Sequence, residues 1–377
     1  MVFIIDISGR VIRYDISLYE NILKEKPDED IRLIAADAPK LDGNVMSMLH
    51  LIPAKYRGSK NKFIKVGKAV EVFFNYLYIL FLCFAKRPAV LHFQWFPFLD
   101  YCTIEKYFVS LVKIFLPNIK LILTVHNLYP HDMPLPKREK YRQRFNILAK
   151  YLNYLIVHID NSKEELVRDF GIQPQKIVVI PHGVFEPDYK PKKKGNLSGQ
   201  HIIMFGNETP YKGVDILLDA LQLLPKEKKE TVKVTIAGKG PEDYLIELRK
   251  KAEGLNVVFM PYFIPDDQLY SMIDDADYIA LPYRRISQSG VLLLSLYFEK
   301  PLLISNIPSF VETLRGFTSD MFFESETPTS MRDLMLRHFT GKVDLKKQLN
   351  IITNLKEAYS WRNSAKQTLA LYKKATK

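Results

Sequence analysis

Short, mostly apolar runs recur along this chain with a helix-length stretch between them, and that alternation constrains the fold more than any other feature. In the first half the runs are 2–5, 31–35, 89–93, 120–125, 155–157 and 176–180, and in the second 201–205, 232–237, 257–259, 278–281 and 301–304. Unbroken apolar runs suit strands covered on both faces, and strands that alternate with helices pair in parallel. The expected fold class is therefore α/β, with two parallel-sheet domains facing one another. The Pro-, Lys- and Gly-rich stretch 187–199 is the natural linker between them, and 377 residues suit about two domains of ordinary size.

Charge is the unusual item of composition. A formal net charge of +12 implies an anionic partner: nucleic acid, an anionic membrane surface or a phosphorylated substrate. Most of the excess precedes residue 186, in the runs 55–68 and 137–144. The basic residues are not interleaved with a base-reading motif, so nucleic acid is not expected as a partner. Cys83 and Cys102 stand alone in apolar or aromatic settings, which argues against a disulfide scaffold or zinc site and for a reducing, cytoplasmic setting. No cleavable leader is expected, because residues 1–7 already read as a strand. The longest apolar run, 75–85, is too short to cross a bilayer comfortably, which leaves a buried helix or one lying in a membrane interface. With the lysines at 55–68 before it, the segment 55–85 is a candidate contact for an anionic membrane surface, the inner face of the membrane in a peripheral protein.

Loops at the C-terminal ends of parallel strands are where ligands bind in open α/β sheets. In the second half these loops are 206–213, 238–241, 262–265 and 281–291. The first has a glycine at each end and Lys212, and it opens an amphipathic helix; the last opens a helix at Ser289 and Gly290. Two helix N-termini with Lys212, Arg284 and Arg285 nearby suit a diphosphate without a metal, and no Asp-x-Asp pair stands in a suitable loop. A nucleotide-linked substrate follows. In the first half the corresponding positions are Gly9 with Arg10, His92, His126 with Asn127, and Pro181-His182-Gly183. His126 suits a hydrogen bond to a sugar or, in an inverting enzyme, the work of a general base, since an imidazole near its free pKa does that well. Ser162, with Glu165 three residues on, reads as a helix N-cap in a capping box.

Several motifs occur together in a telling order: Thr124-Val125-His126-Asn127, Ile180-Pro181-His182-Gly183-Val184, Gly206 with Tyr211-Lys212-Gly213-Val214-Asp215, Ala237-Gly238-Lys239-Gly240-Pro241, Leu281-Pro282-Tyr283, Gln288-Ser289-Gly290-Val291, Lys300-Pro301 and Glu312. In this order the chain resembles the GT-B glycosyltransferases, specifically the family-four retaining enzymes that use nucleotide sugars, over nearly its whole length. The resemblance implies two Rossmann-like domains across a cleft, 1–187 plus 360–377 for the acceptor and 188–359 for the donor, with the last helix crossing back at Ser360-Trp361. It implies donor binding by Gly9, Gly206, Thr209, Lys212, Gly213, Gly238, Tyr262, Tyr283, Arg284, Arg285, Gln288, Ser289, Gly290 and Val291. Acceptor contacts fall to Arg10, Tyr14 and Asn127, and chemistry to His126, Lys212 and His92, with no cofactor and no metal. The expected activity is hexosyl transfer from a nucleotide-diphosphate sugar to a glycan, lipid-linked acceptor in polysaccharide biosynthesis. A non-catalytic nucleotide-sugar-binding subunit on the same fold is the alternative. The chain departs from the pattern in two places. The usual arginine before the motif lysine is missing, since Asn207 and Thr209 stand there, and the two acids of E-x7-E are replaced by Ile286 and Leu294. Arg284 and Arg285 are candidate substitutes for the arginine.

Overall fold

Strand β1 (Val2–Asp6) has every residue buried, as its apolar sequence demands. A computed structural model describes residues 1–36, 44–49, 52, 61–130, 133–191 and 200–377. Lys55, Arg57 and Lys60 of the basic run, and 192–199 of the linker, lie outside the described residues. The chain divides into two compact units, Met1–Gly183 with Trp361–Lys377, and Val184–Ser360. The division falls a few residues before the 187/188 boundary read from the linker.

In unit 1, β1 is followed by α1 (Ile12–Glu25), β2 (Ile31–Ala35), β3 (Val45–Ser47), α2 (Lys62–Lys86), β4 (Val90–Trp95), α3 (Glu105–Phe115), β5 (Lys120–Thr124), α4 (Leu135–Ala149), β6 (Tyr154–Val157), α5 (Asp160–Phe170) and β7 (Ile177–Val179). The seven strands run parallel in the order β3-β2-β1-β4-β5-β6-β7. Strand order therefore reverses between β1 and β4. Ser162 is the third residue of α5 rather than its cap; the cap position is Ile159, which offers no side-chain acceptor.

Helix α2 is longer than the apolar run it contains. At 25 residues it is long and apolar enough to cross a membrane by length and composition, although a third of its most apolar stretch is buried in the fold. Its inner face carries Tyr76, Ile79 and Leu82 into the core, and Asn75 makes two hydrogen bonds to the Leu49 backbone. The outer face is a helical stripe of exposed apolar residues, Val66, Val70, Phe73, Leu77, Phe81 and Phe84. Exposed Tyr107, Leu111 and Ile114 continue it on α3, and the Phe84 and Phe115 rings lie 6.3 Å apart.

Unit 2 runs β8 (His201–Phe205), α6 (Val214–Gln222), α7 (Lys226–Thr231), β9 (Lys233–Ala237), α8 (Glu242–Lys251), β10 (Val257–Met260), α9 (Asp266–Asp275), β11 (Tyr278–Leu281), α10 (Gly290–Tyr297), β12 (Leu302–Ser305), α11 (Pro308–Thr313), β13 (Phe322–Phe323), α12 (Pro328–Phe339) and α13 (Leu345–Ala358). Its six strands are parallel in the order β10-β9-β8-β11-β12-β13, reversing between β8 and β11. The final helix α14 (Trp361–Thr376) belongs to unit 1, where Ser364 Oγ donates to the Pro181 carbonyl at 2.5 Å and Trp361 is buried. Its indole is why residue 183 is glycine: a Cβ there would meet the ring at 2.3 Å.

Candidate active site

In unit 2 the loops leaving β8, β9 and β11 meet where the strand order reverses. Main-chain bonds staple them: Gly206 N–H to Ala237 O at 2.9 Å, Glu208 N–H to Lys239 O at 2.5 Å and Arg284 N–H to Tyr211 O at 2.8 Å. Such close approach excludes side chains. Gly213 has φ 73° and a Cβ there would stand 2.0 Å from the Pro282 carbonyl oxygen. At Gly238, φ 150°, a Cβ would stand 1.9 Å from the Gly206 oxygen. Both glycines are thus fixed by sterics as much as by φ.

Lys212 is folded into this edge. It is 4% exposed, donates from Nζ to the Phe205 carbonyl at 3.3 Å and sits 5.6 Å from the Tyr283 ring centroid. Gly206 leaves it room, since a Cβ there would lie 2.6 Å from Nζ and 3.3 Å from Val291 Cγ2. The lysine has a partner that sequence reading overlooked. Glu208 is fully buried, neither carboxylate oxygen has a hydrogen-bond partner among the described residues, and Lys212 is the charge acting on it. Burial outweighs the opposing Lys212 charge and leaves the Glu208 carboxyl raised to about 7; the same burial lowers the Lys212 ammonium. An acid four residues before the motif lysine was the available signal. In sequence it reads as an ordinary loop charge.

Arg284 does not serve as a free cation. Its guanidinium makes a bidentate pair with Asp215 in the first turn of α6, at 2.9 and 2.6 Å, and also bonds Pro210 O at 2.5 Å. Its charge is spent on holding two loops together. Arg285 is exposed, and so is Tyr262, in the loop after β10. Ser289 caps α10 by accepting from Leu292 N–H at 3.1 Å, so its hydroxyl is engaged while the first backbone amides of the helix remain for a ligand. Thr209 Oγ1 and Gln288 Oε1 are buried without a hydrogen-bond partner among the described residues. Ile286 and Leu294, where acids stand in the related motif, pack against the hydrophobic core.

In unit 1 the candidate residues form a buried ring cluster. The Tyr14 ring lies 4.7 Å from His126, 5.4 Å from His158, 5.0 Å from His182 and 5.0 Å from Trp361. Tyr14 is 3% exposed, so it is the hub of this cluster and not a surface contact for an acceptor, and burial raises its hydroxyl pKa. His92 corrects a second expectation. It lies inside β4 with no exposure, both ring nitrogens bound, Nδ1 with the Tyr372 hydroxyl at 2.6 Å and Nε2 with Thr124 Oγ1 at 2.7 Å. It is an interior histidine lowered to about 3 by burial.

His126 keeps its place at a strand end but changes character. His158 Nδ1 donates to the Ile180 carbonyl at 3.0 Å, and burial lowers His158 to about 4, so it is neutral and its Nε2 accepts. His126 Nδ1, 3.3 Å away, is the donor to it, and on the other side of the ring His126 Nε2 lies 3.3 Å from the Gln94 side-chain oxygen, which only accepts. Burial and the three neighbouring histidines hold His126 well below the usual imidazole range. It is neutral and a weak base, not one poised near its free pKa. Beside it and Asn127 is a cavity of about 20 Å³, room for about one water. Gly9, φ 59°, lies in a loop shaped by Asp6, whose carboxylate accepts from Ser8 and Val11 N–H at 3.1 and 3.0 Å. Arg10 is exposed, 4.3 Å over the Trp95 ring and 3.5 Å from Asp100.

Residues 186–358 match the family model for Glycosyl transferases group 1, and 32–185 match that for Glycosyltransferase Family 4. The chain belongs to the GT-B group 1 glycosyltransferases. Among solved structures, a glycosyltransferase from Rickettsia africae superposes with a TM-score of 0.70 at 18% identity, covering 100% of this chain and 98% of that one. The Anabaena HepE protein, in complex with UDP and glucose, gives 0.66 at 14% identity over 99% of each chain. In sequence, a GDP-mannose:glycolipid 4-beta-D-mannosyltransferase of Xanthomonas campestris is 23% identical over 196 residues, 51% of this chain and 52% of that protein. The chain thus spans about half the length of that curated relative.

Proposed function

We propose that this glycosyltransferase moves a hexose from a nucleotide-diphosphate sugar to a glycan acceptor carried on a lipid, working in polysaccharide assembly at the cytoplasmic face of a membrane. The observation that carries the reading is the unit 2 edge, where a buried lysine and the unfilled amides of α10 converge at the strand-order reversal, the position at which such sheets bind ligands. Lys212, with the amides at Gly290 and Val291, stabilises charge on the leaving diphosphate. That contribution is the largest in chemistry of this kind, and it asks for no metal. Thr209 Oγ1 and Gln288 Oε1 gain partners when the donor binds. The UDP complex of the Anabaena protein and the glycolipid acceptor in the name of the Xanthomonas relative support the donor and acceptor classes. Retention is the favoured stereochemistry, because an inverting path needs a competent base and His126 is held too weakly basic to be one. The exposed stripe on α2 and α3, flanked by Lys62, Lys65, Lys86 and Lys106, supports docking on an anionic lipid surface.

The test is a panel of sugar nucleotides scored for thermal shift and for transfer to a lipid-linked glycan, with NMR of the first-formed anomer. Stabilisation and transfer with one donor are expected. A second reading, a non-catalytic nucleotide-sugar-binding subunit, is favoured by Ile286 and Leu294 in place of acids. Tight donor binding with neither transfer nor hydrolysis on any acceptor would establish it instead.

A further inference from the structure

The unit 2 edge carries an acid that nothing above puts to use. Glu208 stands in the loop after β8, four residues before Lys212, and an acid in such a loop ordinarily turns to water. Here a second loop closes over it. Its N–H donates to the Lys239 carbonyl at 2.5 Å, and Gly240 lies so near that a Cβ there would meet the Glu208 Cβ at 3.2 Å. The side chain has no exposure, and neither carboxylate oxygen finds a hydrogen-bond donor among the described residues. Lys212 does not supply one, because its Nζ is turned to the Phe205 carbonyl at 3.3 Å.

The other charged and titratable groups packed around Glu208 leave Lys212 as the cation that acts on it. Asp215 on α6 and Arg284 in the loop after β11 cancel in their bidentate pair. Tyr244 on α8 donates to Asp215 at 3.3 Å, and burial raises both Tyr244 and Tyr283, which stay neutral. Lys239 is exposed, its ammonium 5.9 Å from the Phe263 ring centroid. A carboxylate shut away from water and from every donor is unfavourable, so this geometry makes Glu208 hold a proton. With the proton on, the edge presents the Lys212 charge undiminished; with it off, the two charges oppose each other. A diphosphate bound at the edge adds repulsion against the carboxylate, and in a site closed to water that repulsion is poorly screened.

We infer that binding of the donor diphosphate at this edge is coupled to uptake of one proton by Glu208, a positioning residue that acts through the charge of Lys212. The proton comes from the solvent and forms an O–H bond on the carboxyl, with no other bond changed. The inference rests on the donor reading above and adds a regulation to it. Because the carboxyl of the free chain is raised to about 7, affinity for the donor is fully present below that pH and declines above it.

The experiment titrates the full chain calorimetrically with UDP-glucose and GDP-mannose at about pH 6 and about pH 8, in two buffers of different ionisation enthalpy. Sodium sulfate is a third probe, read by the rise in melting temperature it produces. None of their acidic groups titrates in that interval, so the protons counted belong to the protein. Sugar-nucleotide affinity should fall by about tenfold from the lower pH to the higher, with most of one proton taken up per ligand at the higher. Sulfate should raise the melting temperature more at the lower pH. Glu208→Gln cannot ionise, so it should bind at the higher pH as tightly as at the lower and take up no proton, whereas a merely structural role would leave the pH profile in place. A melting temperature near the parent's establishes that the variant folds, and the parent's own proton count decides the matter where it does not. Equal parental affinity at the two pH values, or undiminished proton uptake by a folded Glu208→Gln chain, overturns the inference. If neither sugar nucleotide binds at either pH the donor reading fails, and sulfate still decides the coupling: an equal response at both pH values overturns it.

Discussion

The two units share a strand order and differ in what occupies the reversal point. In unit 2 the edge is filled by backbone: Gly213 and Gly238 let loops approach to within a carbonyl's radius, and the space that remains holds a buried lysine and a buried acid. In unit 1 the equivalent edge is open and apolar, and its polar residues are drawn inward into a ring cluster of Tyr14, His126, His158 and His182. The same topology therefore supplies a place for a ligand without specifying its chemistry. That chemistry is set by loop glycines in one unit and by a covering helix in the other.

The sharpest way to break this contrast is Lys212→Ala. If the unit 2 edge stabilises the leaving group, turnover should fall by about 10²–10³ while the chain still folds; a folded variant with parental turnover removes the assignment. Next is Gly213→Ala, whose Cβ has no room beside Pro282. It should destabilise the chain by about 2–4 kcal/mol, seen in denaturant unfolding, and a neutral result would mean the loop relaxes freely. On the unit 1 side, F73D with F81D removes two exposed rings worth about 1.5–3 kcal/mol each when buried. Sedimentation with anionic vesicles should show a loss of tenfold or more in partitioning with the melting temperature unchanged, and undiminished partitioning would disconnect the stripe from lipid.

The smallest effect concerns pH. Glu208 keeps its proton in the folded chain up to about pH 7, whereas its ordinary value is 4.5. Between those values the folded state binds more protons than the unfolded one. The group's contribution to stability is therefore present at low pH and lost as pH rises through about 7. Glu208→Gln should flatten that part of the stability curve, and an unchanged slope would show that Lys212 holds the carboxylate ionised.

The alternation, most strand positions and the loops that form the unit 2 edge are legible in the order of residues, because apolar periodicity and glycine placement are local signals read one segment at a time. Helices α12 and α13 escaped that reading, their apolar positions being diluted by polar residues, and β3 and β13 were too short to register. What the side chains do depended on partners far along the chain. Arg284 reads as a phosphate ligand until Asp215 is found holding it, 69 residues away. His92 reads as a strand-end residue until Tyr372 is found bonded to it across 280 residues, and His126 reads as a poised base until three other histidines close around it. Charge state and accessibility are set by burial and by neighbours brought together in space, and neither is a property of the segment that carries the residue. Tertiary structure alone decided them.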